Sequence, residues 1–198
     1  MRWLETDEAD DVVNSLAHCR MCLEQVLLNP AEWKWAIISF HSAFQGAMVC
    51  HLVGTANVGH LQPTEAKHWL EWYNGNRIGP APKDRMADPI TLFERLAGKK
   101  DRIEQSCGGA IDVSCDQIKA FKALNGLRRD FAHFNPMGWS IEISGLPAIF
   151  RHCLDMIEAI AIDPWPFRHL ECDRRIELTE HCESMRGQLA FLHAKIKN

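Results

Sequence analysis

An apolar stretch, residues 33–53, constrains the fold of this chain more than any other feature. Lys34, His41, Gln45 and His51 interrupt it, so that its longest runs of purely apolar residues cover only about one helical turn each. A membrane span needs about 20 mostly apolar residues, and this stretch does not meet that requirement. Because it is apolar nearly all round, it predicts a helix buried on every side, at the centre of a helical bundle.

The same stretch carries a face of small residues, Ala43, Gly46 and Ala47, against which a second helix can approach closely. A cleaner amphipathic pattern precedes it, with apolar residues three or four positions apart, which predicts a helix that packs through one face. Its apolar positions are Val12, Leu16, Cys19, Leu23 and Val26. Asn29-Pro30 separates the two helices.

The C-terminal segment repeats this spacing of apolar residues over about three heptads and forms an apolar seam. The seam comprises Leu178, Cys182, Met185, Leu189, Leu192 and Ile196. Such a seam serves equally for packing inside a bundle and for pairing with a second copy of the chain. The sequence leaves this choice open.

Shorter helices are expected between these segments, at Thr64–Trp72, Pro89–Ala97, Ser114–Phe131 and Leu146–Ile162. The loop Asn74–Asp88 contains two glycines and two prolines and should be exposed.

The chain of 198 residues is thus expected to form a single all-α domain, residues 1–198, built as a bundle of about six or seven helices. At most one short strand or extended segment is expected, near Trp139–Ile143, where polar and apolar residues alternate.

Charge and cysteine content restrict the partners and the compartment. The net charge of −4 comes from the first sixty residues, whereas residues 61–198 are balanced, so no basic stripe indicates nucleic-acid binding. The eight cysteines are scattered, mostly within predicted helices, which is typical of an intracellular protein and not of a disulfide scaffold. The acidic N-terminus does not resemble a secretory leader. We therefore expect a cytoplasmic protein that does not interact with membranes.

Three other chemistries have weak support. Cys and His are adjacent at several positions, such as Cys50-His51 and His181-Cys182, but these pairs lie in the middle of predicted helices instead of in the turns that structural zinc sites use. Gly108-Gly109 is not followed by Lys-Ser or Lys-Thr, so a P-loop is excluded. Trp69 and Trp72 have the spacing of core packing. We expect no bound metal and no cofactor, while a metal-dependent hydrolase built on the Cys and His pairs remains a weaker alternative.

The segment 114–143 carries the strongest candidate for chemistry. Ser114 and Gln117 form the pattern of a capping box, and the following helix should end near Asn135-Pro136. Arg128 lies at the edge of its apolar face, and His133 lies at or just past its last turn. The two are five positions apart, about 140° around a regular helix, so they can converge only through a distorted last turn or across two subunits.

If Arg128 and His133 meet, a guanidinium that binds phosphate stands beside an imidazole that can transfer a proton near neutral pH. That pair suffices for metal-free cleavage of RNA, in which the 2′-hydroxyl is the nucleophile. The alternative is that His133 only caps the helix end, while Arg128 and Arg129 are solvated or paired with Asp130.

The residues Arg128-Arg129-Asp130-Phe131-Ala132-His133 resemble the Arg-x4-6-His motif of HEPN domains, which are small helical bundles that include many endoribonuclease toxins and defence effectors. The resemblance covers about thirty residues, around LNGLRRDFAHFNPMGW. It implies a homodimer in which the two motifs form one cleft that cuts RNA without metal and leaves a cyclic phosphate and a 5′-hydroxyl.

The resemblance assigns catalysis to Arg128 and His133 and makes Arg129 a candidate RNA contact. It also suggests a cognate antitoxin as a protein partner. The family often has Asn, Asp or His directly after the arginine, where this chain has Arg129. The alternative is a non-catalytic helical module that binds a protein or a nucleotide and pairs through the C-terminal seam.

Overall fold

The computed structural model describes residues 2–133, 138 and 140–196. These residues form a bundle of α-helices without a sheet, which confirms the predicted fold class. The helices are α1 (Glu8–Gln25), α2 (Glu32–Leu52), α3 (Pro63–Asn74), α4 (Pro89–Leu96), α5 (Cys115–Ala132), α6 (Leu146–Ile162) and α7 (Cys172–Ile196). As predicted, their number is seven within the described part of the chain.

Helix α2 is the centre of the bundle, because it packs against α1, α4, α5 and α6. Phe40 stacks on Phe150 of α6, with the ring centroids 4.6 Å apart. Phe44 makes edge contacts with Phe93 of α4 and Phe121 of α5. The buried side chains of α2 therefore hold three neighbouring helices in place, as the apolar stretch predicts.

The small-residue face of α2 receives α1. A Cβ atom added to Gly46 would lie 2.8 Å from Cγ2 of Val12 and 3.4 Å from the carbonyl oxygen of Glu8. The glycine thus allows the first turn of α1 to lie directly on α2. The predicted close approach of a second helix is confirmed, and it places Glu8 and Asp11 beside the middle of α2.

Polar side chains cap several helices at their N-termini. The side chain of Asp7 accepts a hydrogen bond from the backbone N–H of Asp10, and that of Asp88 caps α4 in the same way. The capping box of Ser114 and Gln117 is present at the start of α5, as predicted. These caps fix where α1, α4 and α5 begin.

The C-terminal seam is buried within the chain. Five of the six seam residues, those from Leu178 to Leu192, are at most 3% exposed. Helix α7, which carries them, packs against α1 and α6. Of the two uses that the sequence leaves open, the structure shows packing inside the bundle. The seam is therefore not free to pair with a second copy, and the interaction-module alternative loses the surface on which it was based.

Three further expectations concern loops and helix ends. Residues 140–143 belong to no helix or strand, and Trp139 lies outside the described residues. The predicted end of α5 near Asn135-Pro136 also lies outside them, while the last helical residue described is Ala132. The loop 74–88 is mostly exposed, as predicted, and one isolated bridge joins Met86 to Leu61.

None of the helices in the described ranges has both the length and the apolar character that crossing a membrane requires.

A charge in the seam should destabilise the domain itself. We expect Met185→Glu to lower the free energy of unfolding by about 3 kcal/mol or more, because a carboxylate would replace a fully buried side chain. Urea denaturation followed by circular dichroism measures this change. Ser184→Glu, at the adjacent exposed position, is the control and should leave stability nearly unchanged. A Met185→Glu protein that keeps wild-type stability but dissociates from an oligomer would show instead that the seam pairs two copies.

Candidate functional site

Arg128 borders a cleft of about 330 Å³ between α1, α2 and α5. Helix α1 contributes Glu8 and Asp11 to the cleft, and α2 contributes His41, Ser42 and Gln45. The cleft therefore contains charged groups of both signs, next to apolar side chains. Its size is within the range of small-molecule sites.

The guanidinium of Arg128 is half-buried and has no hydrogen bond, ion pair or ring contact among the described residues. It differs in this respect from the other buried and half-buried arginines of the described chain, which have polar or aromatic partners. These are Arg20, Arg95, Arg102, Arg168 and Arg174. Its nitrogens are not among the buried polar atoms that lack a partner, so its N–H donors still reach solvent, and Arg128 marks the cleft as a candidate anion site.

A buried histidine lies beside Arg128. His41 is 2% exposed, and its Nε2 is 3.0 Å from Oδ1 of Asn125, which lies one turn before Arg128 on α5. Burial lowers the pKa of His41; the hydrogen bond to Asn125 opposes this shift, and the positive charge of Arg128 adds to it. His41 is thus kept neutral at physiological pH, and Arg128 supplies the positive charge on this side of the cleft.

The acidic side of the cleft is also without a cation. Oδ2 of Asp11 accepts a hydrogen bond from the hydroxyl of Ser42 at 3.2 Å. Glu8 and Asp11 are exposed, and neither forms an ion pair with any described residue. Gln45 directs its amide nitrogen towards the sulfur of Met86, at 3.7 Å. The carboxylates and Arg128 thus share one cleft without neutralising each other by direct contact.

His133 lies outside this cleft. It is the C-cap of α5, with φ −120° and ψ 62°, and its backbone N–H donates to the carbonyl of Arg129 at 3.0 Å. Its side chain is exposed, and no described contact joins it to Arg128. The structure therefore does not bring the two candidate catalytic residues together within one chain, in agreement with their angular separation on the helix.

Arg129 does not line the cleft, and it is paired with Asp130, which is the structural role that the sequence offered as an alternative to RNA binding. Its guanidinium is 3.2 Å from the carboxylate of Asp130, and both side chains are at least half exposed. Exposed pairs of this kind contribute little to stability, so Arg129 is still able to exchange Asp130 for another anion.

The neighbours of Arg128 were not predicted from the sequence. His41 and Gln45 were noted only as interruptions of an apolar helix, although they lie one turn apart and face the same cleft. Asn125 was not singled out, although its spacing of three from Arg128 places both on one side of α5. Glu8 and Asp11 gave no signal, because the crossing of α1 over α2 brings them to the site.

Other buried polar groups have structural roles. Glu104 is 6% exposed, and its carboxylate accepts four backbone hydrogen bonds from residues 54–59, at 2.7–3.0 Å. Arg95 is 2% exposed and donates to two backbone carbonyls of residues 59–61. The two side chains hold the connection between α2 and α3, and neither lines the cleft.

Burial makes the thiols of several cysteines harder to ionise. All eight are free, and five of them are buried. Burial raises the pKa of Cys22 to about 11 and that of Cys182 to about 12, and it raises those of Cys50 and Cys153 further. In the described ranges, no three Cys, His, Asp or Glu side chains are grouped so that they could hold a metal ion.

Comparisons of the chain with protein-family models, with curated proteins and with solved structures find no match.

The buried His41 should make stability fall at acidic pH. Because its pKa is lowered in the folded chain, the unfolded chain binds the proton first as the pH falls below about 6.5. We expect His41→Gln, which retains a hydrogen-bonding side chain, to reduce the loss of stability between pH 7 and pH 5.5 by up to about 1.4 kcal/mol per pH unit. Urea denaturation at the two pH values measures it. An unchanged pH dependence would contradict this account of His41.

Proposed function

We propose that this chain is a HEPN-like, metal-independent endoribonuclease that acts as a homodimer, with Arg128 and His133 as its catalytic residues. The observation that carries the proposal is the half-buried guanidinium of Arg128, which faces a cleft and has no partner among the described residues. The resemblance of residues 128–133 to the Arg-x4-6-His motif supplies the reaction class.

A phosphodiester is the anion that suits this arginine. A guanidinium stays charged at every physiological pH and presents its N–H donors as a planar fork that matches two phosphate oxygens. Burial strengthens the interaction, because fewer water molecules compete for those donors. The same guanidinium can offset the negative charge that develops on the phosphoryl oxygens when the bond is cut.

The reaction then needs a proton carrier and an internal nucleophile. The 2′-oxygen of the ribose attacks the adjacent phosphorus and loses its proton, and the bond from phosphorus to the 5′-oxygen breaks. His133 of the dimer transfers a proton in this step, either from the 2′-hydroxyl or to the leaving 5′-oxygen. The products are a 2′,3′-cyclic phosphate and a 5′-hydroxyl, and DNA is not a substrate because it lacks the nucleophile.

The proposal requires a second copy because Arg128 and His133 diverge within one chain. A two-fold axis near the end of α5 would bring the partner's His133 towards the Arg128 cleft. An apolar groove lies beside this end of α5, lined by Phe131, Trp33, Ile141 and Ile143 among others, and offers apolar surface for such a contact.

Arg129 would add positive charge at the rim of the cleft, where RNA can replace Asp130 as its partner. A toxin or defence effector of this kind would be controlled by an antitoxin protein.

Cleavage of RNA tests the proposal. Purified protein incubated with total RNA in EDTA should cut it, and Arg128→Ala or His133→Ala should lower the rate by about a hundredfold or more, since each removes one function of the site. Gel analysis of the RNA measures the rate. Arg151→Ala and His169→Ala remove the same side chains at exposed positions elsewhere and should cut normally.

Normal cleavage by correctly folded Arg128→Ala and His133→Ala proteins would show that another site, or a contaminant, cuts the RNA. Intact RNA with the wild-type protein would contradict the nuclease proposal directly.

Subunit mixing tests the shared cleft. The Arg128→Ala and His133→Ala proteins are each inactive alone, but their heterodimer retains one arginine and one histidine. We expect activity to reappear when the two are denatured, mixed and refolded together. If the mixture stays inactive although mass spectrometry detects heterodimers, each copy must use its own pair, and the composite site is wrong.

A further inference from the structure

We propose that the Arg128 cleft also binds the base of one nucleotide and selects guanine, through the carboxylates of Asp11 and Glu8. This inference rests on the proposed function, since the base belongs to the RNA whose phosphate Arg128 binds. It names the substrate preference of that site.

The charged groups of the cleft are separated by sign. Arg128 lies at one side and the two carboxylates at the other, and no ion pair joins them. A ligand that satisfies both sides has an anion at one end and N–H donors at the other. A nucleotide has this character when its base presents N–H groups, because the phosphate is the anion.

The four bases differ in the hydrogen-bond donors that they present to a carboxylate. Guanine presents two adjacent donors, the N1–H and the 2-amino group, and these match the two acceptor oxygens of a carboxylate. Adenine and cytosine present an amino group next to an acceptor nitrogen, and uracil presents one N–H between two carbonyls. Their acceptors would face the negative charge of Asp11 or Glu8, so guanine is favoured.

The size and the lining of the cleft also suit a base. Ile38, Val49 and Met86 provide apolar contact for the faces of a base, and the thioether of a methionine packs well against an aromatic ring. Among the described residues, the amide of Gln45 is hydrogen-bonded only to the sulfur of Met86, and it can turn towards a base carbonyl. A volume of about 330 Å³ has room for one base with part of its ribose.

The carboxylates should also limit non-specific binding of RNA. They repel the phosphates of a strand that lies across the cleft without a base inserted. Binding then depends on the base that reaches them, so the negative charge gives selectivity instead of general affinity for RNA.

Binding of mononucleotides tests the inference separately from cleavage. Isothermal titration of the wild-type protein with the 3′- and 5′-monophosphates of the four ribonucleosides should show that a guanosine isomer binds about tenfold tighter than its counterparts. At least one of the substitutions Asp11→Asn and Glu8→Gln should abolish this preference, because an amide offers one acceptor and adds a donor. Glu5→Gln removes the same charge from an exposed position outside the cleft and should keep the preference.

Equal binding of the four nucleotides, no binding of any, or a preference that survives both Asp11→Asn and Glu8→Gln would overturn the inference. The results also separate it from the nuclease proposal. A guanosine preference in a protein that leaves RNA intact would support the base site and refute the nuclease. Cleavage that depends on Arg128 but occurs equally after all four bases, with no binding preference, would do the reverse.

Discussion

The burial of most of α2 among four other helices is the constraint on which the rest of this structure depends. Four helices pack against it, and each is positioned by side chains of α2 that exclude water. A helix of this kind tolerates a polar side chain only where that side chain finds a partner or reaches a cleft. His41 and Gln45 satisfy this rule next to Arg128, so two of the four interruptions of the apolar stretch mark the place where the candidate site lies, whereas His51 bonds to the carbonyl of Gly109.

Two adjacent arginines of α5 face different directions around the helix axis. Successive residues of a helix are rotated by about 100°, so Arg128 and Arg129 cannot share an environment. Arg128 turns towards α2 and is half-buried without a partner, whereas Arg129 is exposed and pairs with Asp130. The contrast explains why the proposal assigns phosphate binding to the first arginine. His133, beyond the last helical residue, belongs to neither environment and fits the proposal only through a second copy.

Local patterns in the sequence predicted local and pairwise features well. Three predictions depend on residues that are close together in the chain or lie on one helix face, and all three are confirmed. They are the central position of α2, the close helix approach at Gly46 and the capping box of Ser114. The partner of the C-terminal seam was not predictable, because an apolar face packs equally well on its own chain or on another. The cleft was not predictable either, since it exists only after α1, α2 and α5 have assembled around Arg128.

The central claim is that this cleft supports attack by a 2′-hydroxyl on a phosphate held by Arg128. The chemical ends of the cleaved RNA test it most directly, because a different mechanism leaves different ends. After incubation with the protein in EDTA, mass spectrometry of a defined RNA oligonucleotide should detect a 2′,3′-cyclic phosphate on one fragment and a 5′-hydroxyl on the other. A 5′-phosphate paired with a free 3′-hydroxyl would contradict the account, because those ends require water as the nucleophile.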